Sequence, residues 1–216
     1  MTNDLSFDEQ THTYWWQETR ELLSVTRVLT MAGILDTSHY GASDEPLLRG
    51  EYVHLGTELV DIDDLDWENV QEEHPDRVPY LKAYQAFKEA CLPKWKATEA
   101  RYADPHLGIA GTLDRFGTFV PPGRKTKCRA ILDIKTSATG ASQDWHPIQL
   151  AGYWHLLVKD LTHRAVLTPE RALQIERWAL YLAKDGSYRL QQFTDRRDIA
   201  VFNAAVTVAG WRHTHG

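Results

Sequence analysis

The run Ala130–Ser137, Ala-Ile-Leu-Asp-Ile-Lys-Thr-Ser, constrains the fold more than any other stretch of the chain. Ile131 and Leu132 lead into two opposite charges separated by one aliphatic residue. Alternate side chains of a strand share a face, so Asp133 and Lys135 are expected to project together while Ile134 packs into the core. A carboxylate and an ammonium at the end of a buried strand suit phosphoryl chemistry. One group can hold a metal while the other handles a water or the developing charge. Taken alone, the triplet also fits a solvated strand edge.

The flanking periodicities build outward from that strand. Thr11 to Trp16 alternates polar and aromatic residues and reads as a strand, with Gln17 to Arg20 as a turn. Ser24 is placed to cap a helix whose face carries Val25, Val28 and Leu29 and which stops at Gly33. Residues 36 to 46 read as a loop. A helix is expected from about Glu45 or Pro46 to Val60, its inner face including Leu47, Gly50, His54 and Glu58. Tyr80, Tyr84, Phe87 and Cys91 are spaced for a helix that Pro79 opens and Pro93 stops. The period then changes. Ala97 to Ala103, Gly111 to Val120 and Cys128 to Lys135 read as three strands, the last two joined by a hairpin with a basic tip. Pro147 opens a helix to about Asp160. Glu176 to Ala183 and Ser187 to Phe193 form a second hairpin around Lys184-Asp185-Gly186. Thr194 or Asp195 can cap a final helix containing Ile199, Phe202, Val206 and Trp211. This order predicts an α/β fold, a mixed central sheet flanked by helices. One domain is the expectation for 216 residues, with an N-terminal strand and helices over 1–95 and the main sheet and helices over 96–216.

Composition narrows the function classes. An apolar fraction of 43% can fill a sizeable core, and eight Trp and nine Tyr supply large buried surfaces or stacking platforms. No run of 18 apolar residues exists, so no membrane span is expected. The first residues lack a basic segment followed by an apolar one, which points to a cytoplasmic protein. Cys91 and Cys128 read as free thiols, and no C-x-x-C pair is present to hold zinc or an iron–sulfur cluster. The net charge of −6 argues against a passive nucleic-acid coat but is compatible with a carboxylate-lined cleft whose cations attract phosphate. Acidic residues crowd Asp61 to Asp76, read as a solvated connector, and basic ones cluster at Arg124, Lys125, Lys127 and Arg129.

Three further features fall in order around Asp133. Gly111-Thr112-Leu113-Asp114 lies on the strand before the basic hairpin, and antiparallel pairing can bring Asp114 beside Asp133. Two adjacent carboxylates repel and call for a cation, and hard oxygen ligands favour Mg2+ or Mn2+. Gln149 and Tyr153 stand four apart on one helix face, where an amide and a phenol could contact a phosphate or orient the lysine. Gly152 beside them would allow close approach of backbone. In Arg49-Gly50-Glu51-Tyr52-Val53-His54, Gly50 clears room one turn before an imidazole that could join a metal. Each of these, in isolation, also fits an ordinary strand end or the polar face of a helix.

Together, Arg49-Gly-x-x-x-His54, Gly111-x-x-Asp114, Asp133-Ile-Lys135-Thr136 and Gln149-x-x-x-Tyr153 resemble the PD-(D/E)XK nuclease superfamily, and within it the RecB-like and lambda-exonuclease-like branch. Phe7 to Tyr14 with Ser24-Val-Thr26 is similar to small phage-encoded members. Leu113 stands where the family's name motif has Pro, and Asp133 where it often has Glu. The four cysteines that hold an iron–sulfur cluster in some relatives are missing. The resemblance implies a restriction-endonuclease-like αβββαβ core with an N-terminal helical elaboration. It implies Asp114 and Asp133 as metal ligands, assisted by the carbonyl of Ile134 and by His54, with Glu99 as a further acid. Lys135 would orient or help deprotonate the attacking water, and Gln149 and Tyr153 would position it or the scissile strand. Thr136 and Ser137 could donate to a phosphate, and Arg49, Arg115, Arg124, Lys125 and Lys127 could hold the DNA backbone. The implied activity is Mg2+- or Mn2+-dependent hydrolysis of DNA leaving 5′-phosphate ends, as a phage-type exonuclease in recombination or end processing. A structure-specific or restriction-like endonuclease, or a non-catalytic DNA-binding or assembly module, are the alternatives. A single-strand annealing protein as partner and a homotrimer follow only by analogy.

Overall fold

The computed structural model describes residues 4–37, 45–137 and 143–215. Its centre is an eight-stranded mixed sheet. The hairpin β1 (Leu5–Asp8) and β2 (Thr13–Trp16) is followed by β3 (Arg20–Ser24), antiparallel to β2. β3 then joins β5 (Ile109–Phe119) in parallel, at Leu23↔Ile109 and Ser24↔Ala110. The N-terminal strands therefore extend the main sheet, and the expected turn at Gln17–Arg20 is only the link into β3. β4 (Lys94–Asp104) pairs antiparallel with the whole length of β5. β6 (Cys128–Ser137) pairs antiparallel with β5 from Arg115↔Leu132 to Phe119↔Cys128. β7 (Glu176–Ala183) runs parallel to β6, and β8 (Tyr188–Phe193) closes that end antiparallel to β7.

Helices cover both faces. On one face lie α2 (Glu45–Asp61) and α4 (Val78–Cys91), whose Val53, Val60, Leu81, Tyr84 and Phe87 pack on Leu132, Ile134 and Leu180. On the other lies α5 (His146–His163), the crossover between the parallel β6 and β7, with Leu150, Trp154 and Leu157 on Leu113, Ile131 and Tyr181. Beside it, α1 (Val25–Ala32) and α7 (Arg197–His215) bury Val25, Val28 and Leu29 against Phe202 and Val206. The caps follow the sequence. Ser24 accepts a hydrogen bond from Arg27 N, and Gly33 takes the left-handed turn that ends α1 at φ 77°. Asp195 accepts from Arg197 N at the start of α7. The short α6 (Pro169–Ala172) lies between α5 and β7.

Three expectations are corrected. The acidic connector contains α3 (Trp67–Glu73), capped by Asp66, whose side chain accepts from Asn69 N. Its one buried side chain is Val70, an apolar signal that the surrounding carboxylates mask. Leu47 is 63% exposed, so the inner face of α2 is set by Val53, Gly56, Thr57 and Val60 instead. Gly152 serves helix packing, not the site. A Cβ there would lie 2.6 Å from Phe202 Cε2 and 2.8 Å from Val25 Cγ1. Of the expected loop at 36–46, residues 38–44 lie outside the described residues.

Candidate metal centre

Because β4 takes one whole edge of β5, β3 and β6 share the other, β3 at its start and β6 at its end. Among the described residues no strand covers that edge over Gly111–Asp114. The sheet is notched there. Asp114 and Asp133 face each other one step beyond the last rung, Arg115↔Leu132. With β5 gone, the backbone of Ile134 needs other partners. Its N–H donates to Asp114 Oδ2 at 2.6 Å, and its carbonyl accepts from His54 Nε2 at 3.2 Å.

A second irregularity aims the side chains. Leu113 and Phe116 are three apart, yet both pack in the cluster under α5. Strict alternation would separate them, so the side-chain alternation of β5 breaks between them, while its register with β4 runs unshifted from Phe116 to Ile109. Asp114 and Arg115 consequently both turn toward α2. On β4 the opposite residue, Glu99, has φ 44°, a left-handed backbone rare for a non-glycine residue. Local strain of this kind collects where a side chain must be aimed. Here the Glu99 carboxylate is brought to 3.3 Å from His54 Nδ1, and Asp114 Oδ2 lies 3.8 Å from the same nitrogen. His54, Glu99 and Asp114 each offer a ligand atom within 4.8 Å of the others.

Asp133 is not in that trio. Its Oδ2 lies 2.8 Å from Lys135 Nζ, as the shared strand face requires, but in a direction that leaves this buried oxygen without a hydrogen bond. Lys135 donates to Gln149 Oε1 at 2.8 Å and sits 5.4 Å from the centre of the Trp145 ring. The Gln149 amide nitrogen donates to Thr26 Oγ1 and to the Tyr153 hydroxyl, each at 3.2 Å.

The charges are strongly coupled. Burial would depress His54, but Asp114 and Glu99 overcome it and hold the imidazole up to about 9. Burial pushes Asp114 and Asp133 above the usual carboxylate range, against the pull of His54 on the first and Lys135 on the second. Burial also works against the charged form of Lys135, and Asp133 and Asp114 outweigh it, so the amine stays an ammonium. Glu58, one turn beyond His54, is raised by burial and then by Glu99.

The donor set fits a hard divalent cation: two carboxylates and an imidazole converge in a half-buried notch, with the Asp133 carboxylate on the neighbouring strand. The ring of His54 is oriented for this, since Nδ1 faces the carboxylates while Nε2–H is fixed by a carbonyl, the usual support for a metal-bound histidine.

The other expected contacts are scattered. Arg115 is fully buried and bonded to protein, so it cannot reach a substrate backbone. Arg124 pairs with Glu176 at 2.8 Å and lies over the Trp178 ring. With Lys125 and Lys127 it sits beyond Cys128, at the opposite end of β6 from Lys135; at ~3.3 Å per residue the five steps from Cys128 to Asp133 span about 17 Å. A hairpin tip lies at the end of the strand where the chain enters, and Asp133 and Lys135 lie where it leaves. Arg49 is bonded to Glu45 at 2.7 Å and lies over the Tyr80 ring, whereas its neighbour Gly50 faces Thr136, whose Oγ1 would lie 4.0 Å from a Cβ there. The side chain of Ser137 lies outside the described residues. Sequence reasoning missed Thr26, Thr57 and Trp145 as neighbours of the site, and it read Asp61 as solvated surface. Asp61 instead pairs with Arg115 at 2.9 Å and accepts from the Tyr84 hydroxyl at 2.8 Å. Nothing in its acidic run singles it out except its place at the end of the helix that carries His54.

No protein-family model matches the chain, and no curated protein matches it. Solved structures do, among them one of a protein from Eubacterium rectale that carries the provisional name exonuclease. That protein is 12% identical, with a TM-score of 0.48, over 86% of this chain and 77% of its own. The likeness is too distant to transfer an activity.

Proposed function

We propose that the chain is a metal-dependent deoxyribonuclease that hydrolyses phosphodiester bonds to leave 5′-phosphate ends, acting on DNA termini. The observation that carries this reading is the convergence of His54, Glu99 and Asp114 beside an ammonium held by a carboxylate and an amide. It agrees with the motif order that resembles RecB-like and lambda-exonuclease-like nucleases. In this reading His54, Glu99 and Asp114 hold Mg2+ or Mn2+, with the Asp133 carboxylate, paired to Lys135, and the second lone pair of the Ile134 carbonyl at hand. A bound divalent ion would supply a more acidic water and neutralise charge on the phosphoryl oxygens.

The protein's own groups do the rest. Lys135 acts as an ammonium: its partners hold the proton on, so it donates to an attacking water or a phosphoryl oxygen and takes no proton. Asp133 and Gln149 fix where that ammonium points. Thr26 and Tyr153 accept from the Gln149 amide nitrogen and so leave its oxygen facing the lysine.

The test is cleavage of end-labelled linear and closed circular DNA with Mg2+ or Mn2+. Loss of linear DNA alone supports action on ends, and nicking of circles supports an endonuclease. DNA binding without cleavage under either metal would favour a non-catalytic module. Lys135→Ala is expected to lower the rate on the order of 10²–10³-fold, with Mn2+ binding and the thermal transition retained. Full activity in that variant would remove the lysine from the mechanism.

A further inference from the structure

Arg115 immediately follows a proposed ligand and is fully buried. A buried guanidinium is costly unless each direction of its fork is met. Here every nitrogen has a partner. Nε donates to Asp61 Oδ2 at 2.9 Å. Nη1 donates to the Asp114 carbonyl at 2.9 Å and to Glu99 Oε1 at 3.3 Å. Nη2 donates to Thr57 Oγ1 at 2.9 Å, and the Thr57 hydroxyl donates to the His54 carbonyl at 2.7 Å. Asp61 is held in turn by Tyr84 and by Trp95 Nε1 at 3.2 Å.

One planar cation thus touches all three members of the trio. It reaches Glu99 by its carboxylate, Asp114 by its carbonyl, and His54 through the turn of α2 that carries it. Its bond to Glu99 uses the oxygen that also faces His54 Nδ1. The strained backbone of Glu99 needs such a restraint, because a carboxylate on a left-handed residue has no local reason to point inward.

Resting on the metal-site reading above, we infer that Arg115 is a positioning residue that holds Glu99, Asp114 and the His54 turn in ligand geometry. It spans three structural elements from within and makes no contact with substrate. Lysine offers the same charge as a single point and cannot meet three directions at once.

The experiment measures Mn2+ binding by calorimetry, DNA binding in EDTA, and thermal unfolding for the wild-type chain, Arg115→Lys, Thr57→Val and Thr57→Ser. Arg115→Lys is expected to weaken Mn2+ binding on the order of 10–100-fold, with metal-free DNA binding unchanged. Thr57→Val is expected to weaken Mn2+ binding several-fold, and Thr57→Ser, which keeps the hydroxyl, to restore it. If Arg115→Lys lacks a folding transition, the Thr57 pair decides. Unchanged Mn2+ affinity in folded Arg115→Lys or in Thr57→Val overturns the inference. So does a loss of metal-free DNA binding with metal binding intact, which would make Arg115 a substrate contact. A wild-type chain that binds no Mn2+ removes the metal-site reading itself, and the inference with it.

Discussion

The proton on His54 sets the conditions under which the notch can take a cation. Up to a pH of about 9 the ring is an imidazolium, held so by Asp114 and Glu99 against the effect of burial. A metal ligand must be neutral imidazole, so binding releases that proton. Affinity for Mn2+ should therefore rise with pH by up to about tenfold per unit until the ring's own titration is passed. Calorimetry at three pH values between 6.5 and 8.5 checks this, and His54→Gln should flatten the dependence. A flat wild-type profile would remove His54 from the ligand set. At this scale the sequence was legible where a residue type and its spacing carried the chemistry: the Asp133–Lys135 contact follows from strand alternation, and Gln149 and Tyr153 do share a helix face. Glu99 entered the site only through the family resemblance, because its aim depends on a backbone angle that a glutamate does not announce. Arg115 was misread because an arginine gives no sign of whether its fork will face water or carboxylates.

At the scale of elements, the broken side-chain alternation of β5 and the close packing of α5 do the positioning. Gly152 lets α5 approach α1 and α7, and its missing Cβ is the space that Phe202 and Val25 fill. Gly152→Ala should cost about 1–3 kcal/mol through overpacking, seen as a lower melting temperature. Because Gly152 stands three residues from Gln149 on the same side of α5 and Val25 adjoins Thr26, a several-fold fall in cleavage per folded molecule should accompany the loss of stability. A loss of activity at full stability would mean that the glycine serves the site after all. The central strands and long helices were readable because period and caps agree over many residues. The extra strands β1 and β3 were not, since four- and five-residue segments carry too few alternations to separate strand from turn.

For the whole molecule, charge buried near the sheet couples stability to pH. His146 is buried, bonded to the Tyr181 hydroxyl at 2.8 Å, and lowered to about 4 by burial and then by Lys135. Unfolded, it would titrate near 6.5. Between those values the unfolded chain binds a proton at this site that the folded one refuses, so the contribution of His146 to stability falls as pH drops from about 6.5 to 4, by about 3 kcal/mol at full extent. Urea midpoints at pH 7 and 4.5 measure it, and His146→Gln should show a smaller fall than wild type. The mixed sheet with helices on both faces was legible in the order of periodic segments. The notch was not, because it arises where β3 and β6 both stop short along one edge of β5, a matter of lengths in three dimensions. The notch has one more consequence. Ile134 meets Asp114 and His54 through its own peptide groups, while its side chain lies in the core. Exchanging that side chain would report on packing alone, and an alanine scan would pass over the position as structural. Only an amide-to-ester replacement at that bond, made by chemical synthesis, would reveal what the main chain contributes there.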